Sequence, residues 1–228
     1  MHYASDLLSP TMEMACMPRP VARRDRPSRG EVQRDLRRAI LDATERLLVD
    51  HRFDELRVAH ILSAAKVSRA SFYFYFESKH AVLAELVRAV VDQALEVAQP
   101  WLEHDDSPRA TLRQGTLAGA RLWRAHAPVL QAIVENWRSD PALTELWSEM
   151  MERFTAAATE RIEHDRRAGR APAKDVDARM LAAALTWLGE RAYYLAVIGH
   201  APFDDEEALV DALTEIWVST IYNGQPRT

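Results

Sequence analysis

Five aromatic residues stand in a row, Phe72-Tyr73-Phe74-Tyr75-Phe76, between Ser68 and Ser78. A helix distributes five successive side chains round most of its circumference, so no single apolar core can take them all. Some of these rings face outward, and an outward tyrosine needs something to meet. Whatever that is lies beside residues 66–79.

The flanks narrow the choice. Val58, Ile61, Leu62 and Ala65 recur at helical spacing through residues 56–65. A two-residue break follows at Lys66-Val67, and Ser68 then stands where an N-cap opens a second short helix. Ser78 caps a third. Two short helices joined by a tight turn are the helix-turn-helix pattern, whose second helix enters the major groove of DNA. Phe72 and Phe76, four apart, read as its inward face against Ile61 and Leu62. Ser68, Arg69, Ala70, Ser71 and Tyr73 are its candidate reading residues. Arg69 suits a guanine edge or a phosphate, and Ala70 is small enough for close approach. Tyr73 and Tyr75 keep hydroxyls for phosphate or base. Lys79, in the first turn of the next helix, offers a cation where backbone amides already favour an anion. Arg57 adds a phosphate contact ahead of the first helix.

The string VSRASFYFYFESKHAVL closely resembles the recognition-helix signature of the TetR family of transcriptional repressors, and within it the ethionamide-regulator (EthR-like) group. The C-terminal EIWVSTIYNGQ is a second point of likeness. Two positions depart from the pattern: Lys66 stands where the family usually has Gly, and Arg57 where it usually has Ser or Thr. The resemblance implies an all-α homodimer. It divides the chain into a basic arm (1–29), a three-helix DNA-binding domain (30–88) and a helical effector-binding and dimerisation domain (89–228). It further implies repression of a palindromic operator and release when an apolar small molecule binds the body.

Charge distribution agrees. Residues 19–88 hold fifteen Lys or Arg against ten Asp or Glu, a net of +5; residues 1–18 carry −2, which leaves −8 for 89–228 within the total of −5. A basic front and an acidic back orient a molecule toward a polyanion; a chance difference between halves is the plainer reading. A single cysteine, Cys16, excludes an internal disulfide framework and a Cys-based zinc site. No apolar run is long enough for a transmembrane helix, and the first twenty residues lack the layout of a signal peptide. A cytoplasmic protein is expected. The arm carries Arg19, Arg23, Arg24, Arg26 and Arg29, suited to phosphates or to the minor groove, or simply a solvated leader.

Beyond the helix-turn-helix the pattern stays helical. Leu36, Ile40, Ala43 and Leu47 mark a helix over 31–51 that completes the three-helix core. Arg37 and Arg38 on it either touch phosphate or are merely solvated. Val82, Leu86, Val90 and Leu95 mark a helix from 78 to about 99, ended by Pro100; it is the lever between head and body. Helices follow from Pro108 to Ala125, Pro128 to Arg138, and Asp140-Pro141 to Ala168 with Gly169 as the stop. The next starts at Asp175 or Asp177 and stops at Gly199. The last runs from Asp204 or Asp205 to Tyr222, before Asn223-Gly224.

All six tryptophans fall in the body. Trp147, Met151 and Phe154 share a face, and Trp187 and Tyr194 share another beside Thr186. Flat apolar walls with a few polar points suit a ligand pocket, though an ordinary aromatic core explains them equally. The resemblance favours the pocket. Its candidate lining is Leu122, Trp123, Trp137, Trp147, Met151, Phe154, Thr186, Trp187, Tyr194 and Trp217. Thr186 and Gly189 stand where EthR-like relatives carry asparagines, which implies a more apolar, differently shaped effector. Ala182, Ala183, Ala184 and Gly189 on one helix, with Leu209, Leu213, Ile216, Val218 and Ile221 on the next, suit either a dimer interface or intrachain packing. The resemblance assigns dimerisation to these two helices.

Nothing in the sequence assembles catalysis. The eight histidines are scattered, no pair has metal-site spacing, and no Gly-rich phosphate loop or nucleophile elbow occurs. Glu190-Arg191 reads as an ion pair or a dimer contact. The chain reads as no enzyme, with no cofactor. The alternatives are an activator or effector-independent DNA-binding protein, and, further off, a helical enzyme.

Overall fold

A computed structural model of the chain describes residues 29–103, 107–173 and 175–222. The arm with Cys16, the Asn223-Gly224 stop, and the side chains of Leu95 and Trp101 lie outside the described residues. Within them the chain forms α1 (Arg29–Asp50), α2 (Val58–Ala65), α3 (Arg69–Tyr75), α4 (Lys79–Glu103), α5 (Pro108–Ala125), α6 (Ala127–Asn136), α7 (Pro141–Arg167), α8 (Ala178–Val197) and α9 (Glu206–Ile221).

The helix boundaries follow local chemistry. Asp140 accepts from the amides of Ala142 and Leu143 at 3.0 and 3.2 Å, with Pro141 in the first turn. Of the paired candidates, Asp177 caps α8 through the Met180 amide, and Asp205 caps α9 through those of Glu207 and Ala208. Such side-chain acceptors satisfy amides that the first turn leaves without partners. Gly169 and Gly199 take φ of 72° and 70° after α7 and α8, where a Cβ is disfavoured. Pro100 does not end its helix: α4 continues to Glu103. The proline forfeits one hydrogen bond, close to where the helix stops in any case.

One apolar cluster runs from Ile40 in α1 through Phe53, Leu56, Ile61, Phe72, Phe76, Val82 and Leu86 to Ile133, Trp147 and Met151. Head and body therefore share a continuous core, carried mainly by α4. A second cluster around Ile162, Ala182, Leu185 and Ile221 holds α7, α8 and α9 together. Leu209 and Leu213 are buried in a third, against Ala192. So Ala182, Leu209, Leu213 and Ile221 belong to intrachain packing, not to a free face.

The turn between α2 and α3 carries a local conflict. Lys66 takes φ 55° and ψ 41°, and its amide donates to the Leu62 carbonyl. A side chain in the left-handed region costs about 1–2 kcal/mol. Lys66→Gly removes that cost and loses part of the gain to unfolded-chain entropy. The expected net is a stabilisation of about 0.5–1 kcal/mol, read as a small rise in Tm by calorimetry; a lower Tm overturns the argument.

Candidate nucleic-acid interface and internal cavity

The reading face is built on α3. Ser68 accepts from the Ser71 amide at 3.0 Å, and the two hydroxyls lie 2.9 Å apart. Phe72 and Phe76 are buried at 0% and 4% exposure, as their spacing required. Their burial turns the rest of the helix outward. Ser68, Arg69 and Ala70 are exposed and Ser71 is half-buried. Tyr73 is 50% exposed and Phe74, not singled out in the sequence, 70% exposed. Tyr75 is half-buried against the core and edge-on to Phe74. Arg57 is exposed at the start of α2, where its amide donates to Nδ1 of His60.

Lys79 departs from expectation. Its Nζ donates to the carbonyls of Phe53, Asp54 and Leu56 at 2.8, 3.1 and 2.8 Å and lies over the Phe53 ring. The ammonium is spent on the loop after α1, so Lys79 is an anchor of that loop and not a free phosphate cation. Burial holds its pKa below the ordinary lysine value, against the pull of Asp54. Arg37 is likewise engaged, with Glu85 and the Phe76 ring, and Arg38 lies 3.9 Å from Asp42.

In the body, helices α4 to α9 all contribute to one cavity of about 190 Å³. At roughly 10–15 Å³ for each water-sized group, that is room for about thirteen to nineteen of them. Leu122, Trp123, Trp147, Met151, Phe154, Thr186 and Trp217 line it together. Gly119 opens the wall where Tyr193 lies, since a Cβ there would sit 2.9 Å from the Tyr193 hydroxyl. That hydroxyl donates to the Thr116 carbonyl at 3.1 Å, and burial pushes its pKa up. Trp147 is fully buried, and its indole N–H, sealed from solvent, has no partner among the described residues. An orphaned buried donor costs about 1–3 kcal/mol, so this wall is not optimised for its own stability.

Three expected lining residues are not brought to the cavity. Trp137 and Trp187 pack on each other at 6.3 Å between ring centroids, with Arg138 over Trp137 and Trp187 40% exposed. Tyr194 donates its hydroxyl to Glu135 at 3.0 Å on the α6 side. Helical spacing shows which side chains share a face, not which neighbour that face meets. Conversely, Tyr193, Met150, Val90, Val91 and Glu190 line the cavity and were missed as lining. For Glu190 a signal existed: an acid on a largely apolar helix. Burial pushes its carboxyl above the ordinary carboxyl range, against the pull of Arg191.

Residues 40–86 match the family model described as bacterial regulatory proteins, tetR family. Residues 112–223 match that of the C-terminal domain of the transcriptional regulator EthR. The chain is 32% identical over 195 residues to the HTH-type transcriptional regulator EthR of Mycolicibacterium smegmatis, covering 84% of this chain and 88% of the relative. It is 34% identical over 186 residues to EthR of Mycobacterium tuberculosis, covering 81% and 86%. The chain belongs to the TetR family of transcriptional regulators. It carries an EthR-type C-terminal domain, and these relatives are regulators, not enzymes.

Solved TetR-type folds align along nearly their whole length. NalD, the secondary repressor of the MexAB-OprM multidrug efflux pump in Pseudomonas aeruginosa, superposes with a TM-score of 0.68 at 18% identity, covering 86% of this chain and 100% of that one. Salmonella enterica GusR gives 0.66 at 18%, covering 82% and 95%. Among the described residues no helix is long and apolar enough to cross a membrane.

Proposed function

We propose that this TetR-family regulator is a ligand-responsive repressor. A homodimer presents two α3 helices to a palindromic operator, and a small apolar molecule in the body cavity releases it. In this proposal the chain divides into an arm at 1–29, a DNA-binding head at 30–88 and an effector-binding, dimerising body at 89–228. Arg57, Ser68, Arg69, Ala70, Ser71 and Tyr73 form the DNA face, joined by Phe74, whose exposed ring suits a thymine methyl or a sugar. Tyr75 borders this face from a half-buried position.

The single observation that carries the reading is α4. Its middle supplies Val90, Val91 and Ala94 to the cavity, and its first residue, Lys79, holds the loop that leads into α2. A ligand that moves α4 therefore moves the head. Effector and operator are linked only if the effector prefers the released form. The dimer face is the outer side of α8 and α9, where Met180, Trp187, Leu188 and Ile216 are exposed at 66, 40, 42 and 39%. Large apolar groups concentrated on one face of a monomer mark an association surface.

Selection from a random duplex pool tests the DNA half of the proposal. The expected product is a dyad-symmetric site whose half-sites lie about 34 Å apart or a multiple of that. Failure to enrich any duplex, or enrichment of a single asymmetric half-site, would overturn it. Trp147→Phe tests the cavity half. Truncation to Ala at a fully buried Trp costs about 3–5 kcal/mol and confuses binding with folding, so Phe is the informative change. Operator affinity of the free protein is expected to stay within about twofold, while the effector concentration for half release shifts by about tenfold, measured by fluorescence anisotropy.

A further inference from the structure

Glu190 is the least explained group in the molecule. Its side chain is 5% exposed, yet among the described residues no hydrogen-bond donor meets its carboxylate. The cation nearest to it is Arg191 Nε at 3.8 Å. That guanidinium belongs to the next residue of the same helix and lies over the Tyr194 ring, with its own side chain 54% exposed. Adjacent helical residues do not face one site, so Arg191 screens the carboxylate without satisfying it. A carboxylate so enclosed, meeting only the space of the cavity, is costly until water or a ligand there solvates it. The rest of its surroundings in the cavity, Leu185, Thr186, Gly189 and Tyr193 on α8 and Trp217 on α9, bring no cation.

Resting on the reading of this cavity as an effector site, we propose that its ligand is an amphipathic amine: a hydrocarbon or aromatic frame carrying one protonated nitrogen that pairs with the Glu190 carboxylate. The frame fills the space between Trp123, Trp147, Phe154 and Trp217. The nitrogen supplies the charge and the hydrogen bonds that the protein withholds. This refines the expectation of a purely apolar effector: the walls are apolar, but one point of the lining is an unsatisfied anion. An anionic molecule of the same shape is excluded from the same position by like charge.

The test uses three probes of one shape, 4-phenylbutylamine, 4-phenylbutanol and 4-phenylbutanoate, titrated calorimetrically into the full chain. In the wild-type protein the amine is expected to bind about ten- to a hundredfold more tightly than the alcohol, and the carboxylate most weakly. In Glu190→Gln the ratio of amine to alcohol affinity is expected to collapse to about twofold or less. Thermal melting confirms that this variant is folded; if it is not, the wild-type ranking decides alone. Equal binding of amine and alcohol by the wild type, or a preference that survives Glu190→Gln, overturns the amine assignment and leaves the cavity as a ligand site. Absence of binding heat for all three probes removes the ligand-site reading itself, and this proposal with it.

Discussion

Asp165→Ala is expected to lower the unfolding free energy by about 3–5 kcal/mol and Tm by roughly 6–20 °C, read by circular dichroism. Asp165 is fully buried near the end of α7. Its carboxylate accepts from Arg161 Nε at 2.9 Å, from Arg170 Nε and Nη2 at 2.9 and 2.8 Å, and from the Tyr222 hydroxyl at 2.7 Å. Arg161 is itself only 4% exposed. The alanine variant takes the Asp165 carboxylate away from a buried guanidinium, which is the costly way to break an ion pair. It also cuts the link between α7, the turn at Gly169 and the end of α9. A Tm change below about 2 °C would show that the network is mere surface pairing.

The same group sets a pH dependence. Burial alone would push the Asp165 carboxyl up; the hydrogen bonds from Tyr222 and Arg170 and the Arg161 guanidinium outweigh it and hold the carboxyl below the ordinary value of 3.8. A depressed folded value means that this stabilisation is present above the unfolded value and lost as pH falls through the lower folded one. Acid melts of the wild type should therefore steepen below about pH 4, and Asp165→Ala should lose that part of the slope.

Arg69→Ala is expected to weaken operator binding by about thirtyfold to roughly twenty-thousandfold at fixed salt, because each dimer loses two contacts of about 1–3 kcal/mol each. The geometry favours so large an effect. Arg69 opens α3 and is exposed, in the first turn with Ser68 and Ala70 and ahead of the buried Phe72. Its removal uncovers no core, so Tm should move by less than about 1 °C. Unchanged affinity in a gel shift, with the protein folded, would remove Arg69 from the DNA face and require α3 to dock by another side.

Lys79 shows where reading from sequence fails. A lysine in the first turn of a helix, just after a recognition helix, has the local marks of an anion partner. The carbonyls that capture it belong to Phe53, Asp54 and Leu56, at least 23 residues earlier. No local pattern announces three acceptors converging from a distant loop. Trp137 and Trp187 fail in another way. They satisfy helical spacing for a wall, but their faces meet each other and the outside of the body. Glu190 is the reverse case, an acid whose importance depends on which helices close around it.

What the chain order alone settled is local and periodic. The Phe72–Phe76 run, the caps at Ser68 and Asp140, and the stops at Gly169 and Gly199 depend on residues within one or two turns, so short-range sterics and hydrogen bonding specify them; between Asp175 and Asp177, and between Asp204 and Asp205, only the structure chose the cap. The outward face of α3 was likewise determined once Phe72 and Phe76 were committed to the core. Only tertiary packing decided which tryptophans enclose the cavity, that Lys79 faces the loop after α1, and that the Glu190 carboxylate meets no donor. These are consequences of non-local burial, where the energy of a side chain depends on neighbours that the linear spacing does not name.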